Sequence, residues 1–358
     1  MGALGERLRE AAVRVLTKLP RPLVRVLAGP PVRIDGQELH PEVQVAVRLE
    51  RLIGASRTLP VAEKRAGRRR DARVFAGPPI EVERTEDLEI PTAEGSVPAR
   101  LYVPHGISRP APLVVYYHGG GHVIGDLDTH DQPCRFFARE VPALVLAVDY
   151  RLGPEHRFPA AVDDALAGFR WACEEAARLG ADPGRIAVAG DSAGANLAAV
   201  VCQLARDEGG PRPAFQALIY PVIDYSSKRR SYELFGQGFF LTREEMDWYR
   251  DNYLASPQDR TDPRASPILA ADLAGLPPAF VVTAGFDPLR DEGEGYAARL
   301  REAGVEATLR REPDLVHGFI SAVGLGGRSR EAGLGIAAAL RAALAQGAGQ
   351  SGRAVILP

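Results

Sequence analysis

Ser192 stands in Gly190-Asp191-Ser192-Ala193-Gly194, after the apolar run Ile186-Ala187-Val188-Ala189 and before a helix-forming stretch from Ala195 to Val201. A serine between glycines at a strand-to-helix turn has the form of a nucleophile elbow. The glycines leave room for the tight turn, and the hydroxyl is held above the sheet edge. The helix that follows directs its positive N-terminal dipole at the site and favours developing negative charge. The pentapeptide alone arises easily by chance, and its strand and helix flanks are what give it meaning.

A serine hydroxyl is a poor nucleophile at neutral pH, so it needs a base to take its proton and a carboxylate to orient that base. In an α/β-hydrolase order the acid follows the serine and the histidine comes last. Of seven histidines only His317 lies after Ser192, in Asp314-Leu315-Val316-His317-Gly318-Phe319, past an expected strand over 305–311. In isolation it reads as a loop histidine. The acid candidate is Asp287, in Phe286-Asp287-Pro288, just past an expected strand over 280–284 that closes at Gly285. Asp291 and Glu292 read as first-turn helix residues favoured by the dipole.

Acyl transfer also needs donors for the tetrahedral oxyanion, each worth roughly 3 kcal/mol at the transition state. His118-Gly119-Gly120-Gly121 follows an expected buried strand over 113–117 and can supply backbone N–H groups with no side chain in the way. A phosphate-cradling loop is the alternative reading, but Gly-x-x-x-x-Gly-Lys-Ser/Thr is absent.

The elements that would position these residues alternate along the chain. An opening hairpin is expected from 80–83 and 97–103 about Ala93-Glu94-Gly95-Ser96. Short apolar runs at 113–117, 143–148, 186–189, 217–220 and 280–284 suit strands buried on both faces. Between them lie helices: 159–180 with Val162, Leu166, Phe169, Cys173 and Ala177 on one face; the post-serine helix with Leu197, Val200, Val201 and Leu204; 292–303; and a last one striped by Leu334, Ala337, Leu340 and Leu344. The fold class is therefore α/β, a mostly parallel central sheet with helices on both faces.

Residues 1–78 are helical in pattern, with one helix opened by Pro41 and another started near Thr58 and Pro60. An insertion at 225–262 carries the capping-box spacing of Thr242 and Glu245, with Met246, Tyr249 and Tyr253 on one helical face. These two segments are expected to form a cap over a core at 79–224 and 263–346, with a tail at 347–358. The basic run Lys64 to Arg73 lacks interleaved aromatics and reads as a solvated face rather than an anionic-surface or nucleic-acid patch.

Composition agrees with small-molecule chemistry. The chain has 358 residues, 46% apolar and 25% charged, and a formal net charge of -2 that gives no pull toward nucleic acid. Three scattered cysteines read as free thiols of a reducing compartment, and an amphipathic, charged N-terminus does not read as a signal peptide. No apolar run is long enough for a membrane span. A cytoplasmic protein is expected, with membrane-surface attachment as the lesser alternative; a homodimer stays open.

Together the motifs resemble the hormone-sensitive-lipase-like carboxylesterases, the microbial family IV of α/β-hydrolases, over roughly residues 80–345. The blocks that carry the resemblance are His118 to Gly121; Tyr150-Arg151-Leu152-Gly153-Pro154-Glu155-His156 with Phe158-Pro159-Ala160-Ala161; Gly190 to Gly194; Asp287 to Gly293; and His317-Gly318-Phe319. The resemblance implies a helical cap, a catalytic triad of Ser192, Asp287 and His317, and oxyanion donors at the N–H groups of Gly120, Gly121 and Ala193. It further implies motif support from His118, Gly119, Gly190, Asp191 and Gly194, and a small-molecule ester substrate with short to medium acyl chains. No metal or cofactor is implied.

His122 replaces the usual large aromatic after the glycines, Ala195 a usual glycine, and Gly153 a usual alanine. His122, Phe239, Phe240 and Trp248 are expected at the substrate pocket, although cap packing would also explain the aromatic residues. Two alternatives accompany this reading. One is the same triad acting on amides, lactones or acetylated substrates. The other is a non-catalytic receptor like the plant gibberellin receptors, which resemble this fold but have lost the histidine.

Overall fold

The computed structural model describes residues 19–53 and 59–346. Its centre is an eight-stranded sheet of β1 (Arg84–Thr92), β2 (Gly95–Val103), β3 (Ala111–Tyr117), β4 (Leu144–Val148), β5 (Ala181–Asp191), β6 (Phe215–Ile219), β7 (Ala279–Phe286) and β8 (Ala307–Val316). In space the order is β8-β7-β6-β5-β3-β4-β2-β1. All neighbours pair in parallel except at one edge, where β2 runs antiparallel to both of its neighbours, β4 and β1. The helices are α1 (Arg21–Ala28), α2 (Pro41–Ile53), α3 (Val61–Phe75), α4 (Asp131–Glu140), α5 (Ala160–Glu174), α6 (Ala176–Leu179), α7 (Ala193–Asp207), α8 (Arg230–Phe235), α9 (Arg243–Tyr253), α10 (Arg290–Glu302) and α11 (Gly327–Gln346).

Strand periodicity divides the core into two layers. Leu113, Val115 and Tyr117 of β3 pack with α5 and α7, while Val114 and Tyr116 face α4 and α11. With helices on both faces, the inner strands must be apolar throughout. A third, smaller cluster joins Leu39 and Val47 of the N-terminal segment to Phe235 and Phe239 of the insertion and to Phe286 and Val316. Those last two residues end β7 and β8.

Several expectations shift. β1 lies at 84–92 rather than 80–83, because an edge strand exposed over Arg84 to Asp87 shows no buried alternation to read. Ile80 and Val82 are buried instead below the sheet, where the Ile80 N–H donates to Gln132 Oε1 at 3.0 Å. The helix expected over 159–180 breaks at Glu175 before ending at left-handed Gly180, so Ala176 and Leu179, not Ala177, face inward. Leu334 is 40% exposed, and Ile336 takes its place in the last helix's stripe. The N-terminal amphipathic pattern up to residue 18, Thr58 and the tail at 347–358 lie outside the described residues.

The basic run is a solvated face only in part: Arg69, Arg70 and Arg73 are exposed, while Lys64, Arg65 and Arg68 turn inward. From α3, Lys64 pairs with Glu245 of α9 at 2.6 Å, with both side chains 14% exposed, and Arg69 pairs with Asp126 at 2.6 Å. Arg65 donates to the carbonyls of Val123 and Gly153 and to the Glu155 carboxylate, and Arg68 donates to the Ser321 hydroxyl. Positions 64, 65 and 68 thus form one inward stripe, with the exposed Arg69 at its edge. Its partners lie at least 57 residues away in the chain, which no local reading of charge reaches. The Thr242 and Glu245 capping box forms as expected, and it sets α9 with Met246 and Tyr253 buried.

Candidate active site

Parallel strands bring their C-terminal ends to one edge of the sheet, where binding sites of open α/β sheets form. β3 ends at Tyr117, opposite Gly190 of β5, and β7 ends at Phe286, opposite Val316 of β8. The four expected motifs therefore emerge side by side. β8 runs on to Val316 rather than stopping near 311, so His317 follows the strand directly.

Ser192 caps the N-terminus of α7 with φ 55° and ψ -115°, a strained conformation for a residue with a Cβ. The Ser192 N–H donates to the Ile219 carbonyl at 2.9 Å, which fastens the turn to β6. A Cβ on Gly194 would strike the Tyr117 carbonyl, and one on Gly190 the backbone of Gly194, so the turn admits only glycine at both places. Ser192 is 9% exposed.

The Ser192 Oγ lies 3.0 Å from His317 Nε2, and His317 Nδ1 lies 2.7 Å from Asp287 Oδ2. The other oxygen of the fully buried Asp287 accepts the Leu289 N–H at 2.8 Å. A carboxylate oxygen can only accept here, so the proton sits on Nδ1 and the Nε2 lone pair faces the serine hydroxyl. The Tyr220 ring, 4.5 Å from the imidazole, and Phe319, edge-on to Tyr220, hold the ring from the side.

The glycine loop is tied to the elbow by Asp191, which accepts the Gly119 N–H and the Tyr116 hydroxyl, each at 2.9 Å. Burial opposes the Asp191 charge, yet His130, 3.5 Å away, and the Tyr116 hydroxyl hold the carboxyl well below its ordinary range. His130 itself is lowered by its own burial. His118 stacks on Tyr150 at 4.3 Å, and the Tyr150 hydroxyl donates to the His118 carbonyl at 2.6 Å. Gly120 and Gly121 take φ of 127° and 62°. Among the described residues, the N–H groups of Gly120, Gly121 and Ala193 find no protein acceptor. Backbone N–H groups are rarely left so, and three beside one serine are available to an incoming oxygen.

A cavity of about 310 Å³ opens between α2 and α3 on one side and the chain from Val316 to Ser329 on the other. It meets the polar chain at His317, whereas Ser192 and the glycine loop do not line it, and the Tyr249 ring packs on Gly121. Of the expected pocket residues only Phe240 lines this cavity. Phe239, its neighbour, turns into the small core between Phe235 and Phe286, and Trp248 packs edge-on to Tyr249 beside Lys64.

His122 is fully buried rather than a pocket wall. It stacks on Tyr253 at 3.9 Å, with Nδ1 3.1 Å from the Tyr225 hydroxyl, and burial pulls its pKa down to about 3. A neutral aromatic ring there fills the space expected of a larger aromatic. Glu292 stands in the first turn of α10, as expected, but fully buried, where its carboxylate accepts the N–H groups of Ile223 (2.7 Å) and Asp224 (3.3 Å). Burial pushes its carboxyl well above the usual range. It ties the chain entering the insertion to the helix that follows Asp287. Tyr220, Tyr249, His130 and Arg68 also surround the site without any motif to announce them.

Comparison with known proteins gives one answer. A family model for the alpha/beta hydrolase fold matches residues 114–321. A carboxylic ester hydrolase of Mycobacterium tuberculosis, LipN, is 49% identical over 344 residues, which cover 93% of this chain and 91% of that protein. The carboxylesterase NlhH of the same species is 46% identical over 251 residues, 69% of this chain and 78% of its own. An ester hydrolase from the metagenome of Lake Arreo, solved in complex with a bipyridine phosphonate derivative, superposes with a TM-score of 0.83 at 42% identity. That match covers 86% of this chain and 100% of that one.

Proposed function

Since the chain belongs to the α/β-hydrolase-fold family and is a carboxylic ester hydrolase, we propose that Ser192 is its nucleophile, His317 its base and Asp287 the acid that orients the base. The observation that carries this reading is the hydrogen-bonded series Ser192 Oγ, His317 Nε2, His317 Nδ1, Asp287 Oδ2, at 3.0 and 2.7 Å. The lone pair at Nε2 takes the serine proton as Oγ bonds to the ester carbonyl carbon. The carbonyl oxygen, now an anion, receives the N–H groups of Gly120, Gly121 and Ala193, which have no protein acceptor to give up. His317 then gives its proton to the leaving alcohol. A water activated by the same imidazole splits the acyl-enzyme and frees the acid and Ser192.

In this reading the enzyme is of the hormone-sensitive-lipase-like type, and the N-terminal helices with the insertion are its cap. Their common core with Phe286 and Val316, the residues before Asp287 and His317, supports that role. Acyl chains of short to medium length suit the cavity, whose volume of about 310 Å³ stands at the small end of ligand cavities, roughly 300–1,000 Å³. Turnover of p-nitrophenyl esters from acetate to palmitate is expected to peak at or below the medium chains. A peak at palmitate would contradict the assignment of this cavity, and no turnover at any length by a folded enzyme would contradict the triad.

A further inference from the structure

Four basic side chains of α3 reach other elements, and three of them meet a carboxylate: Lys64 with Glu245, Arg65 with Glu155 and the exposed Arg69 with Asp126. Arg68 does not. Among the described residues its guanidinium contacts no carboxylate directly: Nη2 donates to the Ser321 hydroxyl at 3.0 Å and lies 3.3 Å from His130 Nε2, which itself faces Asp191 at 3.5 Å. The N–H groups on Nε and Nη1 have no acceptor among the described residues, and these nitrogens are not sealed inside the protein. The nearby Asp191 carboxylate feels the Arg68 charge but lies beyond His130, so the open N–H groups of this half-buried guanidinium remain available to an anion that brings paired oxygens.

Its position says which anion. Arg68 lines the cavity that starts at His317, and much of the rest of the wall is apolar, including Val43, Phe75, Phe240 and Phe319. Arg328, the other cation of the wall, is committed to Glu312 and Asp314. Two carboxylates share the wall: Glu42, whose side chain is 42% exposed, and Asp71, which has a contact of its own. Neither forms an ion pair with Arg68. A hydrocarbon wall bearing one uncommitted guanidinium matches a hydrocarbon chain that ends in a carboxylate. We infer that the enzyme takes half-esters of dicarboxylic acids, with the free carboxylate on Arg68 and the ester carbonyl at Ser192. This rests on the triad reading above and adds the class of substrate.

Two matched pairs test it: ethyl octanoate against monoethyl suberate, and ethyl hexanoate against monoethyl adipate. Within each pair only the chain end changes, from methyl to carboxylate. The quantity read is the ratio of kcat/KM, half-ester over neutral ester. Arg68→Met is expected to lower that ratio tenfold or more for at least one pair, and Arg68→Lys, which keeps the charge, is expected to lower it much less. A ratio that Arg68→Met leaves unchanged for both pairs, however the two activities move together, would overturn the inference and leave Arg68 a tie between α3 and the His317 loop.

If Arg68→Met does not fold by circular dichroism, the wild-type ratio decides. It should fall as salt rises from about 20 mM to about 0.5 M, because screening weakens the ion pair, and a flat ratio would overturn the inference. Failure of the triad reading looks different, since the neutral ester would then survive Ser192→Ala.

Discussion

Ser192→Ala is expected to reduce ester hydrolysis on the order of 10^5-fold or more, the scale on which loss of a serine nucleophile is felt when base and oxyanion donors remain. Among the described residues the Ser192 hydroxyl makes one hydrogen bond, at 3.0 Å to His317 Nε2. The backbone bond that pins the turn, from the Ser192 N–H to Ile219, is kept by alanine. The variant should therefore keep the circular dichroism spectrum and nearly the melting temperature of the wild type while losing the covalent step. Initial rates on p-nitrophenyl butyrate at matched, folded concentrations read the effect. Residual activity within a hundredfold of the wild type would mean that another group attacks.

Asp287→Asn is expected to cost about 10^4-fold in kcat with little change in KM, through the tautomer of the histidine. The buried carboxylate accepts on both sides, the Leu289 N–H at Oδ1 and His317 Nδ1–H at Oδ2. An asparagine must place its carbonyl oxygen toward Leu289, because an N–H cannot face an N–H. Its amide then donates to Nδ1, the imidazole proton moves to Nε2, and the lone pair that should take the serine proton is gone. Steady-state kinetics of Asp287→Asn against Asp287→Glu check this. A loss under tenfold for the asparagine would show that orientation by Asp287 is not what makes His317 basic toward Ser192.

The sheet was legible because strands buried on both faces are short apolar runs, and the site because its parts follow those strands directly. Gly190 to Gly194, His118 to Gly121, Asp287 and His317 each lie within a few residues of a strand end, so a local reading places them. What escaped was held together by distant residues. Lys64, Arg65 and Arg68 read as a solvated face, yet the fold turns them inward to Glu245, Glu155 and Ser321.

The sequence around Glu292 shows a dipole partner at a helix start, and its burial against Ile223 and Asp224 depends on a chain crossing that its neighbours do not announce. Phe239 and Phe240 are adjacent and alike, yet one enters the core and the other the cavity, since Phe240 takes φ 64° and turns the chain between them. β1 was missed because an exposed edge strand need not alternate. Sequence shows which residues can do chemistry, and long-range charge pairing decides what surrounds them.

In the proposed reaction Ser192 forms a covalent bond with the acyl group. That step is tested most directly by treating the enzyme with an activated alkyl phosphonate ester, whose phosphorus is attacked as the ester carbonyl would be, and measuring intact mass and the modified peptide. One phosphonyl group per chain is expected, on Ser192, with activity lost in step with labelling, and no labelling of Ser192→Ala or of heat-denatured enzyme. Inactivation with the group on another residue, or stoichiometric labelling that leaves hydrolysis intact, would contradict it.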